Sequence, residues 1–171
     1  LDATNQELQA AMEELEAANE EFQAIMDELQ KSNQLLWDSE QRLAGVVDRA
    51  PVGISITDIN GHLLQINDYA LSRISYRKEE IIGKSFNDIT CPEDISKGEE
   101  LYSLLISGKI ESYRYDKRFI RKDGLEWWAD VSASPIKNEA GEITAIIGVA
   151  LDINDKINAR KEHDRIQNQL W

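Results

Sequence analysis

A large apolar residue recurs every seven positions through the opening stretch of this chain. Leu1, Leu8, Leu15, Phe22, Leu29, Leu36 and Leu43 keep that strict spacing. Four residues after each comes a second series: Asn5, Met12, Asn19, Met26, Asn33, Glu40 and Val47. The two series read as the d and a positions of a coiled coil. Asn alternates with Met at the a positions. A buried Asn there costs stability unless it meets its twin on a parallel, in-register partner, so the pattern selects a parallel homodimer. The alternative is one long solvated helix. Residues 1–43 contain neither Gly nor Pro, and as a single helix they span about 65 Å.

Charge follows the same division. Residues 1–43 hold 11 acidic and 2 basic side chains and so carry −9 of the net −13. Most of these acids (Glu13, Glu14, Glu20, Glu21, Asp27, Glu28) fall at outer heptad positions, as a solvated face requires. An acidic rod repels nucleic acid and anionic membranes, so neither is an expected partner. No run is long and apolar enough for a membrane span, and no signal-peptide pattern is present. The single cysteine, Cys91, precludes an internal disulfide and suits a reducing cytoplasm. His62, His163 and Cys91 are too far apart in sequence to suggest a structural zinc site. The chain begins at Leu1 rather than Met and reads as a piece of something longer.

The remainder has enough apolar residues for a core, the whole chain being 42% hydrophobic. Ala50-Pro51 stops the helical pattern, because the residue before proline is pushed out of the α region. Residues 52–58 and 62–67 read as two strands joined by a tight turn at Asp58-Ile59-Asn60-Gly61. Helical signals follow at 68–75, 78–82 and 95–107, with Gly83 and Gly108 as stops. Three longer strands are expected over 112–121, 125–136 and 143–153. From Asn154 the chain turns helical and polar, with Ile157, Ile166 and Leu170 as a sparse apolar stripe. Strands linked by turns make an antiparallel sheet with the helices on one face, an α+β fold.

Five ordered motifs carry a family resemblance: Ser39-Glu40-x-Arg42-Leu43 leading to Ala50-Pro51-x-Gly53-Ile54; Asp58-x-x-Gly61; Ile82-Gly83-Lys84-Ser85 with Asp88-Ile89 and Pro92-Glu93-Asp94; Lys122-Asp123-Gly124-x-x-x-Trp128 with Ser134-Pro135; and Gly148-Val149-x-x-Asp152-Ile153-Asn154. Together they resemble the PAS sensor domain over roughly residues 40–156. Residues 1–39 resemble the signalling coiled coils of bacterial and archaeal multi-domain sensors of the histidine-kinase kind. The resemblance implies a five-stranded antiparallel sheet with short helices on one face, preceded by the long coiled-coil helix. The expected division is 1–43 coiled coil, 44–155 sensor domain and 156–171 exit helix.

The resemblance also implies a cytoplasmic input module. A small ligand or cofactor lies between sheet and helices, and flanking helices relay its state to a covalently linked output domain. Matching strands to the family places Ser55, Thr57, Tyr115, Phe119, Ala129, Val131, Ala133, Gly148 and Ala150 on the pocket side. The opposite parity holds Ile54, Ile56, Ile120, Trp128, Val149 and Leu151, an apolar face that needs a cover. Leu43, Val46 and Val47 of the leading helix, from the same chain or its mate, are the expected cover, and Trp128 is expected to couple helix and sheet. Asp152 is expected to cap the exit helix or to pair with Arg121 or Lys122, fixing the exit angle; a plain surface carboxylate is the alternative.

The cofactor stays unassigned. The light-sensing flavin branch of the family requires a reactive Cys where Phe86 stands, and a Gln where Ala150 stands. The haem branch requires a His after Asp94, yet residues 63–162 contain none. Haem and adduct-forming flavin are therefore disfavoured; noncovalent flavin, a small carboxylate, another metabolite or no ligand stay open. No nucleophile–base pair, phosphate loop or metal-ligand spacing suggests an enzyme. The competing reading is a structural dimerisation and spacer unit with no native ligand.

Overall fold

The computed structural model describes residues 2–169. Leu1 and Leu170 of the apolar periodicities lie outside the described residues. The chain divides into two compact units, Leu1–Val46 and Val47–Trp171.

Helix α1 (Asp2–Arg49) makes up the first unit and ends in the second, at the Ala50-Pro51 stop. None of its residues is buried in the single protomer. Leu8, Met12, Leu15, Phe22, Met26, Leu29, Leu36 and Leu43 are all exposed along it. Such a stripe leaves the helix without the tertiary packing that stabilises most protein helices.

In the second unit the strands are β1 (Gly53–Thr57), β2 (Leu63–Ile66), β3 (Tyr113–Ile120), β4 (Glu126–Lys137) and β5 (Ile143–Asp152). They form one antiparallel sheet in the order β2-β1-β5-β4-β3. Between β2 and β3 come α2 (Asp68–Ile74), α3 (Lys78–Ile81), a 3₁₀ turn (Phe86–Ile89) and α4 (Pro92–Ile106); α5 (Asn154–Gln169) follows β5. Each expected element is present, with ends shifted by a residue or a few. Proline opens α4 at its first turn, where the missing N–H is not needed.

Two apolar clusters fill the helix side of the sheet. Leu63, Ile66, Ala70, Ile74, Ile81, Ile89, Trp127, Ala129 and Val131 form one. Tyr102, Leu105, Ala133 and Ile146 form the other, beneath α4. Gly61 joins the first hairpin to this packing. Its φ is +85°, and a Cβ built there would lie 2.6 Å from the Phe86 ring. Phe86 N also donates to the Gly61 carbonyl at 3.0 Å. Gly61→Ala combines left-handed strain with a clash and is expected to cost about 2–3 kcal/mol in urea unfolding. A loss under about 0.5 kcal/mol would show that Phe86 can swing away freely.

Candidate functional site

The ladders arrange the helix-side residues in two cross-strand rows: Gly53, Ala150, Val131 and Tyr115, then Ser55, Gly148, Ala133 and Tyr113. A cavity of about 50 Å³ lies over part of this face. Of the nine residues expected on the pocket side, Ser55, Phe119 and Ala150 line it. Ala129 and Val131 are buried in the adjoining cluster. Thr57, Tyr115, Ala133 and Gly148 lie on the same face outside the cavity lining, and the first three support α4. The Thr57 hydroxyl donates to Tyr102 at 2.9 Å, because the Tyr102 O–H is itself committed to the carbonyl of Asp58. Tyr115 places its hydroxyl 2.8 Å from where a Cβ on Gly98 would stand, so α4 approaches this closely only with glycine there. Ala133 packs with Tyr102, Leu105 and Ile146. The physical reason is size: the aromatic and branched residues of α4 fill that half of the face. A wider groove of about 400 Å³ opens between the first hairpin and α4, and Phe86 is a wall of both spaces.

Two polar groups on the same face were not among the expected residues. Lys117 sits between Tyr115 and Phe119 on β3, opposite Ala129, and is 5% exposed. Its ammonium lies 4.8 Å from the Phe86 ring centre and 4.9 Å from that of Phe119. Burial pushes its pKa down to about 8, and only the Asp94 carboxylate pulls the other way. Asp94 is itself engaged by the backbone N–H and guanidinium of Arg118 at 2.8–3.1 Å. Trp127, opposite Phe119 and stacked on it at 5.2 Å, is buried with its indole N–H unpartnered. Strand alternation assigns residue 117 to this face together with 115 and 119, so the signal was present; an expectation that lysine is solvated hides it.

A third unexpected residue ties the cavity to the end of α1. Asn67 is 2% exposed. Its Oδ1 accepts from Ile54 N at 2.9 Å and from Ala70 N at 3.1 Å, capping α2. Its Nδ2 donates to the carbonyls of Val47 and Val52, both at 2.9 Å. Ile54 and Ala70 also line the cavity. An Asn before a helix is a capping signal; its reach back over 20 residues to Val47 has no local sign in the sequence.

At the exit, Asp152 accepts from Asn154 N at 2.9 Å where α5 begins. Its ionic partner is Arg73 on α2, at 3.4 Å, and this corrects the expected pairing with Arg121 or Lys122. Those two side chains are occupied elsewhere: Arg121 by Asp123 and Ser75, Lys122 by Glu80. Trp128 is half-buried on the opposite face of β4 from Trp127, with the Arg118 guanidinium 5.3 Å from its ring centre. Its backbone N–H and carbonyl bond Asn154 and Ile153.

The sequence profile described as "PAS domain" matches residues 51–155. The chain belongs to the PAS domain family. A PAS domain is a sensory, non-catalytic module. Among curated proteins, it is 28% identical over 133 residues to the probable diguanylate cyclase DgcE of Escherichia coli K12, covering 78% of this chain and 12% of that protein. It is 25% identical over 170 residues to the sensor histidine kinase TmoS of Ectopseudomonas mendocina, covering 99% of this chain and 17% of that protein. It is 31% identical over 123 residues to the sensor protein kinase WalK of Staphylococcus aureus, covering 72% of this chain and 28% of that protein. The chain thus spans less than a third of each of these relatives. A PAS domain crystal structure from Colwellia psychrerythraea, at 24% identity, superposes with a TM-score of 0.61 over 67% of this chain and 97% of its own, and shows the fold.

Within the PAS framework the branch-marking positions have clear surroundings. Phe86 turns its ring into the cavity wall. Cys91 is buried and lies outside the cavity lining, its thiol donating to Glu93. Burial is the leading reason that its pKa is raised. Pockets for drug-sized ligands run to about 300–1,000 Å³. A cavity of about 50 Å³ therefore does not fit a flavin or a haem in the observed packing. No helix among the described residues is long and apolar enough to cross a membrane.

Proposed function

We propose that this PAS domain is the input module of a dimeric cytoplasmic signalling protein, in which a small ligand on the helix side of the sheet alters the flanking helices and, through them, an output domain. Asn67 is the observation that carries this reading. One side chain bonds the capped end of α2, the cavity-lining strand β1 and the last turn of α1. A shift in the cavity wall therefore reaches the end of the long helix through hydrogen bonds rather than through solvent. Arg73–Asp152 offers a parallel route from α2 to the start of α5.

The partner in this reading is a second copy. The exposed d and a residues of α1 recur with the period of a self-complementary seam, and Asn at three alternate a positions (Asn5, Asn19 and Asn33) favours the parallel register. The division into 1–43, 44–155 and 156–171 belongs to the same proposal. The small cavity volume favours one competing reading, a spacer that binds nothing. Native mass spectrometry of the freshly purified chain tests both points. A dimer that releases a small molecule on activation is the expected result. A monomer at micromolar concentration would remove the coiled-coil proposal. A dimer that retains nothing, and whose melting temperature no metabolite raises, would leave the spacer.

A further inference from the structure

We propose that Lys117 and the indole N–H of Trp127 form the anchor for the carboxylate of a short-chain acid, whose hydrocarbon tail occupies the adjoining cavity; this rests on the ligand-sensing reading above. Buried donors are almost always paired. Here the Trp127 N–H is not, and the Lys117 ammonium beside the same Phe119 ring has no hydrogen-bond or ion-pair partner among the described residues. A buried ammonium without a counter-ion is costly unless an anion joins it. Asp94, the nearest charge acting on it, is held by Arg118. Both rings that flank the ammonium, Phe86 and Phe119, line the cavity, so the ammonium stands directly behind that part of its wall.

The chemistry of the walls selects the class. Apart from the Ser55 hydroxyl and the Trp127 N–H, the lining side chains are apolar, among them Ile66, Ile74 and Ile89, and Lys117 stands beside the lining, against Phe86 and Phe119. A phosphate dianion needs more donors than two. A monocarboxylate needs few, and its tail gains from the apolar walls. The volume of about 50 Å³ limits the tail to a few carbons. Phe86, shared by the cavity and the open groove beside α4, is the side chain that must move to admit it.

The experiment uses the whole chain at neutral pH with butyrate as the probe and butyramide as its uncharged counterpart, at matched ionic strength. Butyrate up to about 10 mM should raise the melting temperature saturably. Butyramide, and butyrate on Lys117→Met, should bind at least about tenfold more weakly. Methionine keeps the length of the side chain and removes a buried charge, so this variant is expected to fold. As a direct readout, the Lys117 side-chain NMR signal should titrate at higher pH with butyrate present. Equal effects of butyrate and butyramide, or undiminished butyrate binding by Lys117→Met, would overturn the carboxylate anchor while leaving ligand sensing intact. No butyrate effect in the unaltered chain would overturn the anchor as well. A neutral metabolite that still raised the melting temperature would then keep the sensing reading, and silence from every metabolite would remove both.

Discussion

Asn67→Leu is expected to remove about 3–5 kcal/mol of folding stability, a large fraction of what a domain of this size has. Leucine nearly matches asparagine in shape, so the loss comes from polarity rather than from a cavity. Four backbone groups lose a hydrogen bond: the N–H groups of Ile54 and Ala70 and the carbonyls of Val52 and Val47, of which Val47 still accepts from Ala50 N. Each orphan costs about 1–3 kcal/mol where water cannot reach it, and the lost helix cap alone costs about 1 kcal/mol. Relaxation and solvent at Val47 and Val52 reduce the total. Asn67→Asp separates the roles. It keeps the acceptor for Ile54 and Ala70 but sets a carboxylate against two carbonyls. It should therefore keep α2 capped while freeing the segment from Val47 to Val52. Urea unfolding reads the first variant and hydrogen exchange across residues 47–52 the second. A loss under about 1 kcal/mol for Asn67→Leu, with unchanged exchange in Asn67→Asp, would mean that Asn67 does not tie α1 to the cavity wall.

Lys117→Met should act in the opposite direction, stabilising the protein at pH 7 by on the order of 3 kcal/mol. The argument is linkage. Burial lowers the lysine pKa from 10.5 to about 8 in the folded protein. Below pH 8 both states are protonated and the folded state bears the whole cost of the buried charge. Between about pH 8 and 10.5 the unfolded chain keeps a proton that the folded chain has released, so stability rises with pH. The Cys91 thiol, whose pKa burial raises above 9.0, opposes this, and three tyrosines add to it at the top of the window. Burial raises the pKa values of Tyr102, Tyr113 and Tyr115, the last to about 12. Above their ordinary value of 10.0 the unfolded chain loses protons that the folded chain retains, and stability falls. The unaltered protein should thus gain stability from about pH 8 to 10 and lose it beyond, while Lys117→Met shows only the fall. A flat profile from pH 8 to 10 in the unaltered protein would place the ammonium in water.

The two faces of the sheet are legible from alternation, because a strand allows each side chain only one of two directions. Tyr115, Ala129, Val131 and Ala133 are buried as that rule requires. The rule stops at the sheet. It cannot say which helix covers which half of a face, and so Thr57, Tyr115 and Ala133 look like pocket residues until Tyr102 and Leu105 of α4 are seen above them. Charge pairing is less legible still. Arg121 and Lys122 are the expected partners of Asp152, yet the turn at 121–124 holds Arg121 on Asp123, and Arg73 comes from a helix far earlier in the chain. Asn67 and Lys117 escape notice for a shared reason. Both are residue types that usually face solvent, and what keeps them inside is a set of partners or rings assembled from distant segments.

Gly53 at the start of β1 pairs with Ala150 near the end of β5, two residues before the sheet gives way to α5. The polypeptide therefore joins and leaves the sheet on neighbouring strands, about 5 Å apart. A fold whose two ends emerge side by side behaves like a bead on a thread. It can be spliced into a longer polypeptide, duplicated or deleted while the stretches on either side stay almost where they were. In such an architecture, repeated copies in tandem cost the host little rearrangement.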